Sequence, residues 1–155
     1  MTKTTIKAIP DGMHSLTPLL TCDGASDAIK FYVKAFGAVE ISRLQDKEGK
    51  LANAMIRIGN SALMLMDEMP AMKALGPKKL KGSPVSIHLQ VEDVDAVFKQ
   101  AVAAGATVHM AVADMFWGDR YGALEDPFGH HWSVATRIRN VSAEEMKQAV
   151  GKMGS

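Results

Sequence analysis

The chain is poor in several features that would assign it to particular protein classes. It has one cysteine, Cys22, so no disulfide can form within it, and a reducing compartment such as the cytoplasm is expected. A formal net charge of +1 gives no electrostatic reason to expect nucleic acid or an anionic membrane as a partner. No apolar run approaches the roughly 20 residues of a membrane span, and residues 1–10 lack the apolar segment of a signal peptide.

Aromatic residues are also scarce, at 6% of the chain, but they are concentrated in one stretch, residues 114–133. This stretch holds both tryptophans, two adjacent histidines, one arginine and four acidic residues. At its centre is Asp126-Pro127-Phe128-Gly129, with proline at the second turn position and glycine at the fourth, as a type I turn prefers. The stretch therefore predicts a β-hairpin that carries polar and aromatic side chains.

Hydrophobic periodicity predicts two similar series of elements. The first has a strand at 15–22, a helix at 25–36 with Asp23 as its N-cap, and strands at 38–45, 51–58 and 61–66. The second has a strand at 84–91, a helix that begins after Asp93 and ends at Gly105, and strands at 106–113, 121–125 and 130–135. Residues 67–83 contain two prolines before Ser83 and read as a surface connector.

A shift of 68 residues superposes the two series, because it aligns Gly37 with Gly105 and the turn at 59–60 with 127–128. The predicted fold class is therefore α+β, with two tandem βαβββ modules at 14–66 and 84–136 joined by the connector 67–83. Residues 1–13 form an N-terminal extension. The tail, 137–155, is predicted to form a short helix, since Ser142 and Glu145 have the spacing of a capping box.

Several motifs resemble the vicinal oxygen chelate superfamily, which holds glyoxalase I, bleomycin-resistance proteins and extradiol dioxygenases, and in particular its PhnB-like, glyoxalase-like branch. The motifs are His14–Pro18, Ala28–Tyr32, Ala35–Ala38, Val91–Asp95, Ala103–Ala106, Phe116–Gly122 and Glu125–Trp132. The resemblance implies that the modules curl into one cup-shaped mixed sheet with the helices outside. It also implies that a small organic molecule binds in the cup and that the chain forms a homodimer.

Strand alternation predicts which side chains face this cup. In the strand 84–91 the apolar residues must face the helix, which leaves His88 and Gln90 on the cup side. If Ser133 faces the cup, so does His131, while Trp132 faces away. The predicted ligand-binding residues are His88, Gln90, Trp117, Arg120, Tyr121, Glu125, His131, Ser133 and Arg57.

Two of these predictions have alternatives. Arg120, with Asp119, either anchors an anionic or carbonyl group of a ligand or forms a structural ion pair. Trp117 and Tyr121 either stack on a planar ligand or lie in a dimer interface, where aromatic residues are enriched. Asp126 is expected to cap its own turn.

The metal enzymes of the superfamily place His or Glu ligands on the first and last strands of each module. By the resemblance these positions fall near Thr17, near Leu65, on Ser86 and on Ser133, none of which is a carboxylate or imidazole. We therefore expect no cofactor at these positions. A displaced set of a type suited to Zn or non-haem Fe would consist of His88, Glu125 and His131.

Three functional hypotheses follow. The first is a cytoplasmic homodimer that binds a small aromatic or anionic molecule without the family's metal. The second is a metal-dependent lyase, isomerase or dioxygenase that uses the displaced set. The third is a structural or interaction dimer whose cup is filled by its own side chains.

Overall fold

A computed structural model describes residues 5–153 and divides into two compact units, with the boundary between Leu80 and Lys81. The first unit contains β1 (Leu19–Cys22), α1 (Ala25–Phe36), β2 (Val39–Gln45), β3 (Leu51–Ile58) and β4 (Ser61–Asp67). The connector that follows contains a 3-10 turn (Pro70–Met72) and the short α2 (Pro77–Leu80). The second unit contains β5 (Ser86–Gln90), α3 (Val94–Ala104), β6 (Thr107–Asp114), β7 (Asp119–Glu125), β8 (His131–Arg137) and α4 (Ala143–Met153).

The two sheets have the same topology. Their strand orders are β1-β4-β3-β2 and β5-β8-β7-β6. In each sheet the first strand is parallel to the last, and the other pairs are antiparallel. The predicted α+β fold with two tandem βαβββ modules is therefore confirmed, whereas the single cup formed by both modules stays a prediction.

The pairing register refines the repeat. Leu65 pairs with Leu20 and Ala54 in the first sheet, and Val134 pairs with Leu89 and Gly122 in the second. Ala54 and Gly122 are 68 residues apart, but Leu65 and Val134 are 69 apart. The closing strands are thus offset by one residue more than the helices.

Each module has its own hydrophobic core between its helix and one face of its sheet. In the first module α1 contacts β3 and β4, and fully buried residues include Tyr32, Leu65 and Cys22. In the second module α3 contacts β7 and β8, where Leu124 and Trp132 are buried. No helix among the described residues is long and apolar enough to cross a membrane.

Two predicted details in the first module are wrong. The first strand begins at Leu19 rather than at residue 15, although the carbonyl of Pro18 still accepts the N–H of Met64 at 2.9 Å. Pro18 has no N–H, so it cannot extend the ladder on its other side. Asp23 is not the N-cap of α1, because Gly24 occupies that position in the left-handed region at φ 96°.

The predicted caps elsewhere are confirmed. The side chain of Asp93 accepts the N–H of Ala96 at 3.1 Å and begins α3. Gly37 ends α1 in the left-handed conformation, and Gly105 ends α3. Ser142 accepts the N–H of Glu145 at 3.1 Å and begins α4.

Candidate ligand-binding face

The second sheet presents one face to α3 and the opposite face away from it. Gly122 lies on the α3 side, since a Cβ atom there would be 2.7 Å from Cε2 of Phe98. Its neighbours Tyr121 and Ala123 therefore point from the opposite face, as does Ser133, the strand partner of Ala123. We call this opposite surface the open face.

His88 is hydrogen-bonded at both ring nitrogens on the open face. Its Nδ1 lies 2.7 Å from Oγ of Ser133, and its Nε2 lies 2.8 Å from Oε1 of Gln90. His88 and Ser133 are direct partners in the parallel pair of β5 and β8, which explains the first contact. The structure thus brings together three of the predicted ligand-binding residues.

A row of rings continues from His88. The imidazole is within 13° of parallel to the ring of Tyr121, with centroids 6.2 Å apart. Trp117 meets Tyr121 edge-on at 5.4 Å, and Phe116 meets Trp117 edge-on at 5.1 Å. The structure therefore joins the predicted aromatic residues Trp117 and Tyr121 to His88.

The orientation of Trp117 is set by a buried carboxylate. Asp119, which is 6% exposed, accepts the indole N–H of Trp117 at 3.2 Å and Nε of Arg137 at 2.6 Å. A hydrogen-bonded carboxylate of this kind restricts how the indole can rotate. Asp119 thus acts on the aromatic row through Trp117.

A second polar group on this sheet includes a residue that the sequence interpretation missed. Nε2 of His109 lies 2.9 Å from Oε2 of Glu125, and the rings of His109 and His131 are 5.3 Å apart. The strand 106–113 does alternate Thr107 and His109 with Val108 and Met110, and this pattern could have identified His109. The irregular register between Val108 and Met110 made its position hard to predict.

Arg120 lies outside this face. Its Nε and Nη2 bind Asp95 of α3 at 2.8 and 3.0 Å, and its Nη1 binds Asp114 at 2.9 Å. These bonds raise the pKa of the guanidinium further above its ordinary value, and the Arg120 hydrogen bonds lower the pKa of Asp95. The geometry is that of the structural ion pair, with Asp95 and Asp114 as partners instead of Asp119.

Arg57 belongs to the other unit. It is exposed on β3, between the buried residues Ile56 and Ile58, so it has the predicted orientation away from the first module's core.

The family's metal positions do not fit a divalent ion. Ser133 is bonded to His88, and Leu65 is fully buried. The pairing register makes Met64, one residue earlier, the counterpart of Ser133, and a thioether is a poor ligand for hard cations. The predicted displaced set is divided, because Glu125 pairs with His109 while both nitrogens of His88 bind other residues. Within residues 5–153, no three His, Cys, Asp or Glu side chains are grouped to hold a metal.

Comparison with known proteins identifies the family. The model of the Glyoxalase/Bleomycin resistance protein/Dioxygenase superfamily matches residues 13–134. The chain belongs to this superfamily. The resemblance drawn from the motifs is thereby confirmed, and the two βαβββ modules are the repeat of the glyoxalase fold.

Relatives of this glyoxalase-fold chain come from several organisms. An uncharacterized Mycobacterium tuberculosis protein is 49% identical over 143 residues, which cover 90% of this chain and 84% of the relative. The crystal structure of a Pseudomonas aeruginosa protein has a TM-score of 0.66 at 26% identity and covers 80% of this chain and 98% of that one. A PhnB protein from Bacillus cereus has a TM-score of 0.63 at 19% identity, with coverage of 79% and 99%.

Proposed function

We propose that this protein binds a small planar organic molecule on the open face of its second module and does so without a metal ion. The observation that carries the proposal is the row of rings from His88 through Tyr121 to Trp117. Flat aromatic surfaces stack favourably on planar ligands. Ligand sequestration of this kind requires no catalytic group.

The charges around the face favour an aromatic ligand over a strongly anionic one. Arg120 is on the α3 side in an ion pair, and Arg137 is paired with the buried carboxylate of Asp119. Glu125 adds a further carboxylate to the polar group. Of the two predicted ligand classes, aromatic and anionic, the first has the better support.

The metal-dependent alternative has no specific observation in its favour. It requires His88, Glu125 and His131 to share one ion, and His88 instead binds Ser133 and Gln90. Elemental analysis of the purified protein provides the test. Stoichiometric Zn, Ni, Mn or Fe that disappears in His88→Ala would contradict metal-free binding.

The homodimer implied by the family resemblance is part of the proposal. Sedimentation equilibrium provides its test, and a monomer at micromolar concentration would refute it. A dimer that binds no small molecule would favour the structural or interaction hypothesis instead.

NMR titration with indole tests the binding proposal directly. The chain has two indole N–H groups, on Trp117 of the ring row and on Trp132, which is 2% exposed. We expect indole to shift the Trp117 signal and leave the Trp132 signal in place, so one spectrum contains its own control. The absence of any shift at Trp117 at millimolar indole would refute the proposal.

Two neighbouring substitutions sharpen this experiment. Tyr121→Ala removes a ring from the open face and should abolish the shift, whereas Arg120→Gln alters the opposite face and should preserve it. A loss of binding in Arg120→Gln, with the fold intact, would support the anionic-anchor alternative.

A further inference from the structure

The hydrogen bonds of His88 define which of its nitrogens carries a proton. Oε1 of Gln90 is a carbonyl oxygen and can only accept, so Nε2 of His88 is the donor in their 2.8 Å contact. A neutral imidazole has one N–H, which leaves Nδ1 as an acceptor. The hydroxyl of Ser133, 2.7 Å away, therefore donates to Nδ1.

The two partners of His88 differ in how easily they can be replaced. Ser133 is 5% exposed and belongs to β8, whose backbone is paired on both sides. Gln90 is exposed at the end of β5, so its amide can turn into water and keep its hydrogen bonds there. The Nδ1 side is thus fixed and the Nε2 side is exchangeable.

We infer that the Nε2–H of His88 selects ligands that carry a carbonyl oxygen next to a flat ring, and that Gln90 holds the position of this oxygen until the ligand arrives. The inference rests on the proposed function and specifies its ligand class. Ser133 is then a positioning residue, because it acts on the ligand only by fixing the tautomer of His88.

The geometry of the rings fits this ligand class. The imidazole and the ring of Tyr121 are within 13° of parallel, so a flat molecule parallel to both can accept the Nε2–H in its own plane. Carbonyl oxygens prefer to accept hydrogen bonds near that plane. Beside Gln90, the strand partner on β8 is Ala135, whose small side chain leaves room above the sheet.

The tautomer can be measured without any ligand. The ¹⁵N shifts of the His88 ring nitrogens should show the Nε2–H form in the wild-type protein at a pH where the ring is neutral. Ser133→Ala should shift the ring toward a mixture of the two tautomers. A predominant Nδ1–H form in the wild type would overturn the inference.

Ligand selection is tested with indole and oxindole, which are similar in size and differ in the carbonyl group. One added hydrogen bond is worth about 1 kcal/mol, so wild-type protein should bind oxindole about three- to tenfold more tightly than indole. Gln90→Ala removes the competing oxygen and should strengthen oxindole binding alone. His88→Phe keeps a ring beside Tyr121 but lacks the N–H, so both probes should bind equally.

The outcomes separate this inference from the proposed function. Equal binding of the two probes to the wild type, or an oxindole preference that survives in His88→Phe, would overturn the carbonyl selection and leave planar-ligand binding standing. Failure of both probes to bind a correctly folded protein would overturn both.

Discussion

Asp67 and Thr136 occupy corresponding positions, 69 residues apart, and each binds the first turn of its module's helix. Oδ1 of Asp67 accepts the N–H of Ala25 at 2.7 Å, and Oγ1 of Thr136 accepts the N–H of Val94 at 2.9 Å. The first N–H groups of a helix have no partner within it. Both modules therefore satisfy one of them from the end of the last strand, with different side chains in the same place.

Asp67 should be less tolerant of an amide than its single helix contact suggests. Its second oxygen accepts the N–H of Leu51 at 2.7 Å, so Asp67→Asn would turn an amide NH₂ toward one of two backbone donors. We expect a loss of about 1–3 kcal/mol in unfolding free energy, measured by urea denaturation.

Thr136 provides the comparison for this experiment. Thr136→Ser keeps the hydroxyl and should cost less than Thr136→Val, which has nearly the same shape and no oxygen to bind Val94. A similar loss in both variants would show that the methyl group, and not the cap, stabilises the helix.

Asp126 should be among the least replaceable surface-turn residues. Its Oδ1 accepts the N–H groups of Phe128 and His130 at 2.9 and 3.0 Å, and its Oδ2 accepts the indole N–H of the buried Trp132 at 2.9 Å. Asp126→Ala should lower the unfolding free energy by about 3 kcal/mol, because buried donors lose their partner.

The matched control for Asp126 lies in the first module. Asp46 makes the same pair of turn contacts, to the N–H groups of Glu48 and Lys50, but is exposed. Asp46→Ala should therefore cost no more than about 1 kcal/mol, since water replaces the lost acceptor. Equal losses at the two positions would contradict the importance of burial and of the Trp132 contact.

Gly122 should not tolerate a methyl group. The added Cβ would lie 2.7 Å from Cε2 of Phe98 and 3.0 Å from Cγ2 of Val112. Gly122→Ala is expected to destabilise the protein by about 1–3 kcal/mol through overpacking, as measured by thermal or urea unfolding. Phe98→Leu in the same chain should recover part of this loss.

The control for Gly122 is Gly151 in α4, where an added Cβ meets nothing within 4 Å. Gly151→Ala should leave stability unchanged or raise it by up to about 1 kcal/mol, since alanine favours helix. A similar destabilisation in both variants would exclude the Phe98 contact as the cause.

Acid should weaken the anchoring of the connector. The backbone N–H of Gly76, and then Lys79, hold the pKa of Glu68 below its ordinary value of 4.5. A carboxyl whose pKa is lowered in the folded state stabilises that state above the unfolded pKa, and the stabilisation is lost as the pH falls through the folded value. Unfolding free energy should therefore drop below about pH 4.5, the ordinary glutamate value.

Glu68→Gln isolates this contribution. Urea denaturation from pH 3 to pH 7 should show a shallower acid dependence in the variant than in the wild type. Identical slopes would mean that Glu68 contributes nothing to the pH dependence.

The elements were predictable where the information is local. The apolar stripe that ends at Gly37 predicted α1 with its observed bounds, and Asp93 was recognised as a cap because its acceptor and donor are three residues apart. Asp67 was not recognised, because the N–H that it binds on Ala25 is 42 residues away. Contacts of that range depend on the folded sheet rather than on sequence spacing.

The candidate site was predictable in part for the same reason. Alternation placed His88 and Ser133 on one face, which their hydrogen bond bears out. Arg120 was grouped with them because the strand was predicted to begin at residue 121. It begins at Asp119, and this adds Arg120 to the alternating pattern on the side of Gly122, facing α3.

The distribution of Cys22 and the tryptophans has a practical consequence. Cys22, fully buried, belongs to the first module, and both tryptophans belong to the second. Thiol labelling therefore reports the opening of one half of the chain, and indole fluorescence reports that of the other, without any mutation. Coincident curves from the two signals would identify a single cooperative transition, and separated curves would give the order in which the duplicated halves unfold.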